Sequence, residues 1–326
     1  MVTITFGIFL QTLLVIVAVA MVRSRDLFVV VMLSGIFSLL MAGNFLILDA
    51  ADVALTEAAV GAGISTVLFL AALGLTAERE KIPRIRRWIP LVVVSATTLM
   101  VIFGMLDRPS LGDPDAPIHV HVAPFYLEQT WELIGIPNVV AAILASFRGY
   151  DTLGEAFVVF TAGIGVLFLL GAGRATAVPK AVQAQDVSRG LRHHLIPQVV
   201  GALVIPFILL FALYVQFHGE YSPGGGFQAG ALFAAGIILY GLLQGERASL
   251  TVIPARALSL MMVAGVLLYA GVGVATMLLG GSFLDYNVLA ADPVAGQHLG
   301  ILVIELGVGL TVTGVMLSIF HAFAAR

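Results

Sequence analysis

Apolar runs long enough to cross a bilayer recur from one end of this 326-residue chain to the other. Few folds tolerate that pattern. A continuous stretch of about 20 apolar residues satisfies its own backbone in lipid as a helix. The runs fall near 3–22, 27–48, 53–77, 88–106, 131–147, 152–173, 195–217, 225–244, 257–280 and 298–323. Charged residues make up only 11 % of the chain, against about 25 % in soluble domains. The expected fold class is all-α, a polytopic transmembrane helical protein. The net charge of −3 says little, and no basic tract suggests nucleic acid. Zero cysteines exclude disulfides, thiolate metal sites and iron–sulfur ligation by this chain. No cofactor is expected. The first run lacks a basic start and a small-residue cleavage site, so it is expected to remain as a helix.

The 131–147 run is the ambiguous one. It is short, contains Glu132, and is interrupted by Gly135, Pro137 and Asn138. Positive charge settles the parity, because Lys and Arg concentrate on the cytoplasmic side. With nine spans, the loops holding Arg23/Arg25, Arg79 to Arg87, Arg174 to Arg192, Arg247/Arg256 and the terminal Arg326 share one side. Fourteen of the 16 basic residues then lie there, and only Arg108 and Arg148 face away. Ten spans would split them between the two faces. Nine spanning helices are therefore expected, with the N terminus outside and the C terminus inside. Segment 107–151 becomes an external loop with a short helix near 137–147 that lies at or dips into the membrane surface. The polar stretch 176–194 reads as a cytoplasmic basic linker between a five-helix region, 1–175, and a four-helix domain, 195–326.

Three carboxylates sit inside apolar runs: Glu57, Glu155 and Glu305. A carboxylate near the bilayer centre costs about 2.5–3.5 kcal/mol on insertion scales, so it usually faces a bundle interior or a wet path. At about 1.5 Å rise per residue, all three lie roughly 5–10 Å below the outer ends of their helices. Asp151 and Glu155 share a helical face, as do His298 and Glu305. These residues, with Asp52, are candidates for an outer-half route for protons or Na⁺. A capping reading competes. Asp52, Asp151 and Thr152 can cap helix starts, and Glu57 and Glu155 can be first-turn acids favoured by the helix dipole. No Lys or Arg lies within a span, so the chain is not expected to drive transport alone.

The loop His218-Gly-Glu-Tyr-Ser-Pro-Gly-Gly-Gly-Phe-Gln228 joins two spans. Ser222 and Pro223 suit a cap and first turn of the next helix. The glycines let bare backbone approach a ligand or a neighbouring helix. Gly226 and Gly230 suit a small-xxx-small contact. His218, Glu220 and Gln228 are further ion-path candidates. The loop lacks the Gly-Lys-Ser/Thr ending of a phosphate loop, so nucleotide binding is rejected. His119 and His121 alternate as a strand-like metal site would, but no further ligand is near in sequence, and no metal site is expected.

Residues 217–230, Phe-His-Gly-Glu-Tyr-Ser-Pro-Gly-Gly-Gly-Phe-Gln-Ala-Gly, resemble the signature of the B subunit of Mrp-type (Mnh-type) Na⁺/H⁺ antiporters. The helix holding Gly-Ile-Leu-Val-Ile-Glu305-Leu-Gly belongs to the same resemblance. Segments 48–63 and 138–155 resemble the C-terminal region of the A-type component. Equivalent pieces occur in membrane-bound hydrogenases and are related to the J subunit of complex I. The resemblance implies a fused accessory protein in which the tail of the A-type component precedes the B-type component, without the large antiporter-like domain. It implies a non-enzymatic role in a cytoplasmic-membrane cation/proton antiporter. The partners implied are antiporter-like A and D subunits, small C, E, F and G subunits, membrane lipid, Na⁺ and H⁺. The alternative is a membrane-arm subunit of a membrane-bound hydrogenase or complex I-like redox-driven pump.

Overall fold

The computed structural model describes residues 2–80, 88–110, 112–170 and 194–324. Nine helices among these are long and apolar enough to cross a membrane, and the chain is a multi-pass membrane protein. They are α1 (Val2–Arg23), α2 (Leu27–Ile47), α3 (Ala51–Leu73), α4 (Trp88–Met105), α7 (Gly149–Leu170), α8 (Leu195–His218), α9 (Gly226–Gln244), α11 (Ala255–Leu278) and α12 (Pro293–Ala324). Three shorter helices complete the set: α5 (Ala123–Leu133), α6 (139–147) and α10 (Glu246–Val252). The linker expected at 176–194 falls outside the described residues except for His194, as do most of the basic residues that set the expected topology.

The helix ends follow local chemistry. The Asp26 carboxylate accepts from the Phe28 and Val29 N–H groups and starts α2. Asn138 Oδ1 does the same for Val140 and Ala141 at the start of α6. Such caps satisfy N–H groups that no helical carbonyl can reach, each worth about 1 kcal/mol. The ambiguous run divides at Gly135, whose φ of +80° only glycine adopts freely, and at Pro137. Its second half, α6, is present as expected and is packed into the protein. Ala141, Ala142 and Ala145 are buried, and Ile134 and Ile136 just before them are almost fully covered.

The long helix α12 is the axis of the fold. It packs against α11, α9 and α7, and reaches the C-terminal part of α3. Small residues let these helices approach closely. A Cβ on Gly230 would sit 2.7 Å from the Gly309 carbonyl, and one on Gly226 would fall on the Glu305 carbonyl. The expected Gly226/Gly230 contact is therefore present, with α12 as its partner. Two buried tyrosines tie the α6–α7 junction to this axis. Tyr269 donates to the Gly149 carbonyl at 2.6 Å, and Tyr286 donates to the Ala145 carbonyl at 2.9 Å. Burial pushes the Tyr286 phenol upward, so it stays a donor. Helix α4 differs from the rest and is exposed along its whole length.

Candidate functional site

The glycine loop between α8 and α9 meets Glu305 of α12. Gly225, at φ +129°, is the residue before α9. A Cβ there would sit 3.3 Å from Glu305 Oε1, and one on Gly219 would sit 3.2 Å from Oε2. The glycines thus leave room for the carboxylate against bare backbone. Gly226 carries the same logic one residue on, against the α12 backbone.

Two residues from distant helices hold this loop. The Gly224 N–H donates to Asp52 Oδ1 at 3.0 Å. Asn138 Nδ2 donates to the carbonyls of Gly219 at 2.9 Å and Ser222 at 3.1 Å, and the Asn138 N–H donates to the Glu220 carbonyl at 3.1 Å. Ser222 does not cap α9, as the sequence pattern suggested. Its hydroxyl donates back to the His218 carbonyl at 3.1 Å, and α9 begins only at Gly226. The reason is tertiary: with Asp52 satisfying Gly224 and Gly225 in a glycine-only conformation, the helix starts past the turn.

Glu305 borders two cavities. One, of about 270 Å³, is also lined by Asp52, Thr56, Thr152, Glu155, Gln228 and Tyr269. The other, of about 310 Å³, is lined by Gln216, Gly219, Glu220 and His298 with apolar neighbours. His298 Nδ1 and Glu220 Oε2 lie 2.8 Å apart in the second cavity. The carboxylate therefore stands between two cavities whose walls are mostly apolar, each carrying a few polar groups. A group that can take and release a proton or pair with a cation occupies their junction.

The structure brings together Glu305, Asp52, Glu155 and Gln228 around the first cavity, and Glu220 and His298 beside them. Glu57 lies apart. It begins a π-helical segment of α3, Glu57–Ile64, and reaches the space over Gly61 beside Ser38 of α2. Asp151 pairs with Arg148 at 2.6 Å, both well exposed. His218 stacks on Tyr214 with ring centroids 4.1 Å apart, and is exposed. His119 and His121 lie in a helical turn, Ile118–Val122, rather than a strand. Among the described residues, no group of three or more His, Cys, Asp or Glu could hold a metal ion. Sequence reasoning missed Asn138 and Gln216. Asn138 preceding an apolar helix is a capping signal, but its hold on the loop has no local trace.

A family model described as a domain related to the MnhB subunit of Na⁺/H⁺ antiporters matches residues 196–318. Two further models, MbhD and MbhE, described as the D and E subunits of MBH, match residues 12–78 and 85–187. A Rhizobium meliloti protein named as the A/B component of a probable K(+)/H(+) antiporter is 28 % identical over 315 residues, covering 86 % of this chain and 30 % of that protein. A putative mnhA2 antiporter component of Staphylococcus epidermidis is 29 % identical over 171 residues, covering 50 % of this chain and 20 % of that protein. The chain thus spans a third or less of these relatives. Among solved structures, the Mrp complex from Dietzia sp. DQ12-45-1b matches with a TM-score of 0.76 and 29 % identity, over 97 % of this chain and 34 % of that chain. The membrane-bound sulfane sulfur reductase, an archaeal respiratory membrane complex, matches with a TM-score of 0.56 and 25 % identity, over 73 % of this chain and 97 % of that chain. The glycine loop packed against Glu305 and these matches lead to one assignment: the chain joins MbhD- and MbhE-type segments to a domain related to the MnhB subunit of Na⁺/H⁺ antiporters, in an A/B-type arrangement of the Mrp/Mnh kind.

Proposed function

We propose that this chain is a non-enzymatic membrane subunit of a multisubunit monovalent-cation/proton antiporter, and that Glu305 carries the exchanged ion between its two chambers. The observation behind this reading is the position of Glu305, which borders both cavities under a glycine loop that leaves its carboxylate unobstructed. Relatives named as antiporter components support it. The partners are antiporter-like A and D subunits and small C, E, F and G subunits, and the ions are Na⁺ and H⁺. The chain sits in the cytoplasmic membrane with its N terminus outside and its C terminus inside. Residues 1–175 act as the A-tail-like region and 195–326 as the B-like domain.

The test uses the assembled complex in proteoliposomes. Glu305→Gln keeps the side-chain shape and removes the ionisable group. It is expected to cut cation-driven proton flux about tenfold or more. Wild-type flux with normal assembly overturns the reading. A second reading, a membrane-arm subunit of a redox-driven complex, is favoured by the match to the sulfane sulfur reductase complex. Purification of the native complex separates the two, since only the redox complex contains iron–sulfur subunits.

A further inference from the structure

Gln216 of α8 is buried, 7 % exposed, and its Nε2 has no hydrogen-bond partner among the described residues. Buried amide donors are almost always paired, so an unpaired one needs an explanation. Its surroundings supply one. Gln216 lines the Glu305 cavity of about 310 Å³ together with Glu220 and His298. It also lines a third cavity, of about 240 Å³, between α8, α9 and α12, where Thr313 is another polar neighbour.

Position on α12 sharpens this. A Cβ on Gly309 would sit 2.5 Å from Gln216 Oε1. The amide therefore rests over Gly309, one helical turn beyond Glu305 on the same face. Glycine at 309 keeps that place open. Looking along α12, the order is the His298–Glu220 pair, then Glu305, then the Gln216 amide.

We propose that Gln216 is a positioning residue of the ion path: it holds water in the chamber on the α8 side of Glu305 and extends that chamber past Glu305 towards the membrane interior. A water needs two to four polar partners and about 30 Å³ of space. This chamber is bordered by two carboxylates, an imidazole and the Gln216 side chain, and has space for several waters. An amide suits the task because it donates and accepts without titrating. The water it holds contacts the Glu305 carboxylate and gives a proton or a hydrated cation a route off it. The inference rests on the antiporter reading for its transport role, but the hydration of the chamber stands independently.

Two measurements test it. The chain has no cysteine, so Gln216→Cys reports directly through thiol labelling. A small cationic thiol reagent applied to the assembled complex is expected to label position 216 about tenfold faster than Val215→Cys. Val215 is the adjacent residue, 1 % exposed, and lines none of these three cavities. Equal labelling at the two positions, or none at 216, overturns the proposal whatever the transport result. In flux assays, Gln216→Leu is expected to lower cation-driven proton flux about tenfold, while Gln216→Asn, which keeps the amide, retains at least about a third. Wild-type flux in Gln216→Leu, or equal loss in both variants, overturns the transport role. If Glu305→Gln is inactive and Gln216→Leu is fully active, this inference fails alone. If Glu305→Gln is fully active, the antiporter reading fails.

Discussion

The Asp52 carboxylate accepts the Gly224 N–H at 3.0 Å, and 172 residues of sequence separate the two. One hydrogen bond thus ties the first turn of α3, in the MbhD-type segment, to the glycine loop of the MnhB-related domain. It also places the Asp52 carboxylate in the same cavity as Glu305 and Glu155. A hydrogen bond to a charged group contributes about 1.5–3 kcal/mol. Asp52→Ala is expected to speed backbone hydrogen exchange around Gly224 by about tenfold or more. Asp52→Asn keeps an acceptor and is expected to show less than half of that free-energy change. Unchanged exchange in Asp52→Ala would show that the loop is held without this bond.

Asn138 performs two separable jobs. Its Oδ1 caps α6, and its Nδ2 holds the Gly219 and Ser222 carbonyls. Asn138→Asp keeps the capping oxygen and loses the donor. It is expected to leave α6 protected while residues 218–225 become more accessible to proteolysis and exchange. Asn138→Ala loses both, at a cost of about 2 kcal/mol in loop and cap together. If Asn138→Asp and Asn138→Ala open the loop and α6 to the same degree, the two roles are not distinct.

Helix spacing gives a contrast within one residue type. Alanine at Gly226 would place a methyl on the Glu305 carbonyl, so α9 must move off α12. Loss of folded protein in detergent is expected. Alanine at Gly154 or Gly271 meets nothing within 4 Å. Those variants are expected to be neutral or to raise stability by up to about 1 kcal/mol, because alanine favours helix over glycine. Thermal unfolding of all three variants checks this, and a stable Gly226→Ala protein would contradict the close packing.

The three intramembrane glutamates are expected to separate in function. Glu155 lines the first cavity with Glu305, whereas Glu57 faces Ser38 and Gly61 between α2 and α3. In the assembled complex, Glu155→Gln is expected to slow flux severalfold and Glu57→Gln to leave at least about half of it. Comparable loss in Glu57→Gln and Glu305→Gln would extend the path to the contact between α2 and α3.

The places where sequence reading and structure diverge share a cause. Ser222 and Pro223 carry a good local signal for a helix start, yet α9 begins at Gly226. Asp52 supplies the partner from another helix, and local propensity yields to it. Asp151 and Glu155 share a helical face, yet Asp151 turns to Arg148 and Glu155 to the cavity. Helical spacing gives direction within one helix but not which neighbour stands opposite. Gln216 sits in an apolar run with no motif around it, and its free amide is visible only once α12 is packed beside it.

Sequence alone determined the all-α class, the nine spanning helices found among the described residues and the split of the 131–147 run. Those follow from hydrophobic length and turn chemistry, which act over one helix or less, and from the side on which positive loops gather, which favoured nine spans over ten. Only the tertiary structure decided which polar groups meet. It set Glu305 at the junction of two cavities, recruited Asp52 and Asn138 to the glycine loop, and left Glu57 aside. Those contacts join residues 81 to 172 positions apart. They depend on how closely glycine lets α9 and the loop approach α12, a distance that no local pattern records.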